Sequence, residues 1–204
     1  MKKIKKILSY AVFWLMQCTW GIIMTLIGAI AAVGLILTGH KPKTMGPTIY
    51  FEVGENWGGV NFGPFFICNR NAPIHIKYHE SGHGLQNLLY GPLFPFIVAI
   101  PSITRYWLRE MPTRIKKSIF NLFFLVASLA ITTIIICFTG PLLHLHWLTI
   151  FIESLRVYLA LISIWLTLFE IPKYDQDCSV SYDEIWFENQ ATRWGKKMYE
   201  KKED

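Results

Sequence analysis

Twenty-two residues, SIFNLFFLVASLAITTIIICFT from Ser118 to Thr139, carry no charge, no glycine and no proline. As a helix they extend about 33 Å at 1.5 Å per residue, enough to cross a hydrocarbon layer of about 30 Å. The uncharged interval runs well beyond this stretch. No Asp, Glu, Lys or Arg occurs between Lys117 and Glu153, and none between Lys6 and Lys41. In a chain of 204 residues, 52% hydrophobic and 17% charged, such gaps mark an integral membrane protein. They exclude a disordered segment, a disulfide scaffold and a fibrous repeat.

The net charge of +6 follows the membrane rather than a nucleic acid. Fifteen of the 20 Lys and Arg fall in three blocks, Lys2 to Lys6, Arg105 to Lys117 and Lys173 to Lys202, each beside an apolar segment. Cytoplasmic flanks of membrane segments carry such an excess. No basic and aromatic motif of a nucleic-acid-binding domain is present, so no nucleic-acid partner is expected. Cys18, Cys68, Cys137 and Cys178 are scattered without a CxxC pair, which argues against a disulfide framework or a thiolate metal site. The apolar run after MKKIKK is too long for a signal core, so it reads as a retained anchor.

The expected fold class is mainly α: a polytopic helical membrane protein, one membrane-embedded domain over 1–204, with a small β-hairpin before a polar helix. Residues 7–38 form the first hydrophobic block. It is overlong for one span, and Gln17 with Cys18-Thr19-Trp20-Gly21 offers a break into an interfacial helix and a deeper one. Within 47–70, residues 48–53 and 59–63 alternate between turn residues and read as the two strands of a hairpin. A polar helix is expected over 74–90. Gly91-Pro92, Pro95 and Pro101 then interrupt an apolar run, which suits a shallow or re-entrant segment. Residues 118–139 and 147–171 are the spanning helices, ended by Gly140-Pro141 and by Pro172, with Glu153 and Arg156 pairing on one face of the second. A charged C-terminal helix is expected over 181–202.

Within the polar helix stands His79-Glu80-Ser81-Gly82-His83. Two histidines four apart share one helical face, so both imidazoles can reach a single Zn²⁺. A glutamate directly after the first can deprotonate a water on the open side of the ion. Gly82 costs roughly 1 kcal/mol relative to Ala in a helix interior, so close packing against another element is expected there. A catalytic zinc site usually takes a third protein ligand. The candidates are His75, His144, His146, Asp183, Glu184 and Glu188. Three histidines on consecutive turns of one helix would make a poor tetrahedral set, which disfavours His75. His144 and His146 lie in the turn between the two spans. Glu188, opening Glu188-Asn-Gln-Ala191, is preferred.

The pattern of HESGH with a later Glu-x-x-Ala resembles the glutamate-zinc (gluzincin-like) class of HExxH metallopeptidases, particularly its integral-membrane members. The segments YHESGHGLQNLLYGPLFPFIVAIPS and WFENQATRWG are also similar to a group of small bacterial membrane proteins with a HExGH helix and a late Glu-x-x-Ala. The resemblance implies His79, His83 and Glu188 as zinc ligands and Glu80 as general base. The implied activity is hydrolysis of a peptide bond by a zinc-activated water, in a peptide or membrane-protein substrate. Some soluble relatives carry an Asp four positions after the ligand glutamate, where this chain has Thr192, so the acidic partner of a ligand histidine is missing from that place. Asp183 or Glu184 could supply it, and Arg193 or Tyr182 could face an oxyanion.

This ligand set requires residues 79–83 and 188 to lie on one side of the membrane. The basic flanks make that side cytoplasmic, in what the resemblance implies is a bacterial cytoplasmic membrane. Two full crossings before Arg105 would separate the ligands. A broken, partly re-entrant block at 7–38 and a shallow segment at 88–103 keep them together. The competing function is a non-catalytic immunity, accessory or transport component with structural histidines.

Overall fold

The computed structural model describes residues 2–142, 146–176 and 185–199. The described residues fall into two compact units, Met1–Ile100 with Ser181–Asp204, and Pro101–Val180. The architecture is mainly helical, with a four-stranded sheet between the first helical block and the helix that carries the HExxH motif.

The first unit opens with α1 (Lys2–Thr19) and α2 (Ile22–Leu37), which are bent by 98° at Trp20-Gly21. The backbone is capped within the break. Thr25 Oγ1 lies 2.8 Å from the carbonyl of Gln17 and 3.0 Å from that of Gly21, which also accepts the Thr25 backbone N–H, so one side chain ties the two sides of the break together. The long apolar block is therefore two helices.

The sheet corrects the expected hairpin. Its strands are β1 (Lys43–Met45), β2 (Thr48–Glu52), β3 (Gly59–Phe62) and β4 (Phe65–Cys68), in the order β1-β2-β4-β3. Residues 48–52 and 59–62 are strands, but they do not pair with each other. β2 pairs antiparallel with β1 and parallel with β4, and β3 pairs antiparallel with β4. Burial decides this order. Phe66 and Cys68 of β4 are fully buried and need the central place, whereas β3, with Gly59 and Asn61, tolerates the edge.

Helix α3 (Ile74–Tyr90) lies at the centre of this unit, which explains a buried run of Glu80, Ser81, Gly82, His83, Gly84, Gln86 and Asn87. From one side Gln17 Nε2 donates to the Gly84 carbonyl at 2.9 Å, and Asn87 Nδ2 donates to Gln17 Oε1 at 2.6 Å. From the sheet, Asn61 Nδ2 donates to the Glu80 carbonyl at 2.8 Å. From the third side comes α8 (Trp186–Tyr199), packed backbone to backbone. A β-carbon at Gly82 would strike the Ala191 carbonyl, and one at Gly195 would strike the Tyr78 carbonyl. The close packing expected at Gly82 is thus a helix crossing with glycine on both partners. Met24, Phe94, Val98 and Phe187 form the apolar core beside it.

In the second unit, α4 (Ile100–Glu110) precedes α5 (Arg114–Leu142) and α6 (His146–Trp165), which pack together around Leu108, Phe124, Ile162 and Leu166. Among the described residues, two segments, Arg114–Ile134 and Trp147–Lys173, are long and apolar enough to cross a membrane; the broken pairs Ile4–Thr19 with Ile22–Leu37 and Ile74–Leu93 with Pro95–Glu110 would raise the number to four if each crossed as one. Glu153 and Arg156 pair at 2.6 Å as their spacing suggested. The proline stops are corrected. α5 continues through Gly140-Pro141 to Leu142, and a π-helical turn at Leu166–Glu170 carries α6 through Pro172 into α7 (Ile171–Gln176). A second π turn, Pro95–Ala99, precedes Pro101 in the same way. Proline lacks a donor and presses its ring on the carbonyl four residues back; a widened turn just ahead of it relieves both.

The crossing of α3 and α8 gives a paired expectation. Gly82→Ala should lower the melting temperature in detergent, because a backbone carbonyl cannot yield and over-packing costs about 1–3 kcal/mol. Gly34→Ala in α2, where a β-carbon meets nothing within 4 Å, should be neutral or slightly stabilising. Equal melting temperatures for the two variants would contradict the contact.

Candidate metal centre

The α3–α8 crossing brings together side chains separated by most of the chain. His79 and His83 point from successive turns of α3 toward Glu188 in the first turn of α8. Glu188 Oε2 lies 3.2 Å from His79 Nε2 and 3.3 Å from His83 Nε2, and the two Nε2 atoms are 3.1 Å apart. A tetrahedral ion with bonds of about 2.0–2.2 Å holds its ligand atoms roughly 3.3–3.6 Å from one another. The triangle agrees within a few tenths of an ångström. Among the described residues this is the one group of three potential ligands that could hold a metal ion.

Glu188 is fully buried; its Oε1 has no hydrogen-bond donor, and its Oε2 faces the two imidazole nitrogens. A buried carboxylate without a donor is costly, and a cation at the centre of the triangle would satisfy it. The imidazoles offer partial compensation of their own. Burial works to raise the Glu188 carboxyl, and His79 and His83 overcome it and hold the group well below the ordinary carboxylate range. Burial works to lower His83, and Glu188 overcomes it and raises that imidazole to about 9.

Each imidazole is held from behind. His83 Nδ1 lies 2.7 Å from Gln86 Oε1, and the Gln86 amide donates to the Phe187 carbonyl (2.7 Å) and to Gln190 Oε1 (2.9 Å). An amide oxygen only accepts, so Nδ1 carries a hydrogen; in the neutral ring this leaves the Nε2 lone pair for a metal ion, and in the protonated ring Nε2–H faces Glu188. His79 Nδ1 lies 2.8 Å from Thr192 Oγ1. Thr192, four residues after Glu188, thus stands in contact with the ring of His79, and Thr192 and Gln86, behind the two imidazoles, are neutral.

Glu80 is buried with one carboxyl oxygen unpartnered. Its carboxyl lies against the bare Cα of Gly59 in β3, where an added β-carbon would meet Glu80 Oε1 at 2.6 Å. Burial raises the Glu80 carboxyl, and the imidazoles of His79 and His83 offset part of the rise. The His79-Glu80-x-x-His83…Glu188 triad matches an HExxH-type zinc-binding motif with a distal glutamate. It is consistent with a gluzincin-like metallopeptidase site. No protein family, curated protein or solved structure matches the chain.

Of the other candidates, His75 is exposed and outside the cluster, and Arg193 is exposed on α8, as a solvated arginine would be. His144, Asp183, Glu184 and Tyr182 lie outside the described residues, as does the side chain of His146. The roles of Gln86, Gly59 and Asn61 are new. Gln86, three after His83, had a signal as a polar residue on the histidine face; Gly59 and Asn61 had none, because only the sheet order brings them to α3.

Loss of an outer partner typically weakens metal binding by about 10–100-fold. Thr192→Val, nearly isosteric, should do so in a chelator-competition titration while leaving helicity unchanged. Unaltered affinity would show that the Thr192 contact is incidental.

Proposed function

We propose that this chain is a zinc-dependent membrane metallopeptidase, with His79, His83 and Glu188 as metal ligands and Glu80 as general base. The observation that carries the proposal is the triangle of two Nε2 atoms and one Oε2, closed by a carboxylate with no other partner. When bound, a zinc ion supplies a Lewis acid that acidifies water and polarises a carbonyl.

The chain's own groups have the remaining tasks. Glu80 takes a proton from the attacking water as its oxygen joins the carbonyl carbon, and returns it to the departing nitrogen as the C–N bond breaks. A carboxyl raised by burial suits both transfers, because its proton is held and released nearer neutrality. Gly59 leaves room for the carboxyl by lacking a side chain, and Gln86 and Thr192 hold the imidazoles. β3 is an edge strand of the sheet, and its end at Gly59 adjoins Glu80. An edge strand offers an extended peptide main-chain hydrogen bonds, which favours a polypeptide substrate. The basic flanks support a site on the cytoplasmic side of the membrane.

Glu80→Gln should retain one equivalent of zinc per chain and lose hydrolysis of a peptide mixture by about 10²–10⁴-fold, the usual worth of a general base. His79→Ala should lose zinc and activity together. Equal zinc contents in wild type and His79→Ala, or full activity in Glu80→Gln, would overturn the proposal.

A further inference from the structure

One side of α1 is turned to protein and the other is open. Phe13 and Gln17 are buried, Gln17 bonds α3, and Trp14 Nε1 donates to the Pro47 carbonyl at 3.0 Å. At 100° per residue the opposite face is Ile4, Leu8, Ala11, Val12 and Leu15. These residues are open: Ile4 is 71% exposed, Leu8 63%, Val12 50% and Leu15 63%. Lys5 and Lys6 are exposed at the amino end, within the block Lys2 to Lys6. An apolar stripe of this length beside a cluster of cations is the pattern of a helix lying in the plane of an anionic bilayer surface.

The bend decides how the helix lies. With 98° between α1 and α2, at most one of them can follow the membrane normal. α2 has no charged residue and only Thr25 as a polar side chain; α1 carries lysines, Ser9, Tyr10 and Gln17. α2 is therefore the inserted helix. Its 16 residues reach about 24 Å, short of a core of about 30 Å.

We propose that α1 lies in the headgroup layer of an anionic bilayer, apolar stripe toward the lipid, and holds the metal centre at the membrane surface. The link is direct: Gln17, on the protein side of α1, bonds the carbonyl of Gly84, the residue after His83. The helix that carries both imidazoles thus packs directly on the surface helix, about 10 Å from axis to axis. At that height the site meets polypeptide adsorbed on the bilayer or emerging from it, so its substrates are juxtamembrane segments. This substrate class rests on the peptidase reading above; the placement of α1 does not.

The test is a depth profile on the full chain in nanodiscs containing phosphatidylglycerol. Single spin labels are introduced at Leu8, Val12 and Leu15, and at Lys6 and Ser9, in a cysteine-free background of wild-type helicity. All five positions are exposed, so the label displaces no packed neighbour. Labels at 8, 12 and 15 should be accessible to oxygen at one common depth, about 5–10 Å below the phosphates, with those at 6 and 9 accessible to a water-soluble relaxant. A steady change in depth of about 1.5 Å per residue would mean that α1 crosses the bilayer and would overturn the proposal. Access of the water-soluble relaxant to 8, 12 and 15 would overturn it as well. For the substrate class, one peptide sequence is tethered to the lipid either directly or through a long Gly/Ser linker. At least tenfold faster cleavage of the direct tether is expected, and equal rates contradict the confinement. No cleavage of either, with the expected depth profile, counts against the peptidase reading and leaves the helix placement standing.

Discussion

Two backbone contacts, Gly82 against Ala191 and Tyr78 against Gly195, hold the rest of the first unit in register. Helices that touch through their main chains bring facing side chains within ligand distance, here Glu188 against His79 and His83. A larger residue at either glycine would open the crossing, and the carboxylate would leave the imidazoles. Placing glycine inside α3 and α8 carries an entropic cost that helical propensity alone would not favour. The geometry of the centre accounts for it.

A central helix with so many buried polar groups is tolerable only when their hydrogen bonds are met. Most of them are: Gln17 serves the carbonyl of Gly84, Asn61 that of Glu80, and Gln86 bridges His83 to the backbone of α8. Among the buried side-chain oxygens left unserved in this unit, three belong to the carboxylates of Glu80 and Glu188 and the others to the amides of Asn69 and Asn87. The unmet need is therefore concentrated on the two acids next to the imidazoles. Departures from local satisfaction are expected at functional sites, and here they coincide with the residues best able to bind a cation and move a proton.

Much of this was legible in the chain. Charge gaps identify the apolar segments, because a single charge is expensive in hydrocarbon. The four-residue spacing of His79 and His83 identifies a shared face, and the small residues Gly82 and Ala191 foreshadow the crossing. Strand pairing was not legible. Residues 48–52 and 59–62 alternate correctly, yet alternation gives a strand without its partner, and the buried Phe65–Cys68 segment takes the place between them. The prolines misled for a related reason. Pro172 forbids an ordinary helical turn, and the chain answers with a wider one rather than by stopping. Thr192 stood out as a missing acid, and only the three-dimensional placement turns it into a contact with His79.

In the proposed centre, two imidazoles from α3 and one carboxylate from α8 hold one zinc ion. Zinc K-edge X-ray absorption on the purified full chain tests it most directly. One zinc per chain is expected, with a shell of light atoms at about 2.0–2.2 Å that contains two imidazoles and is changed by Glu188→Ala. Zinc below stoichiometry, a sulfur shell, or a spectrum unaffected by Glu188→Ala would contradict it.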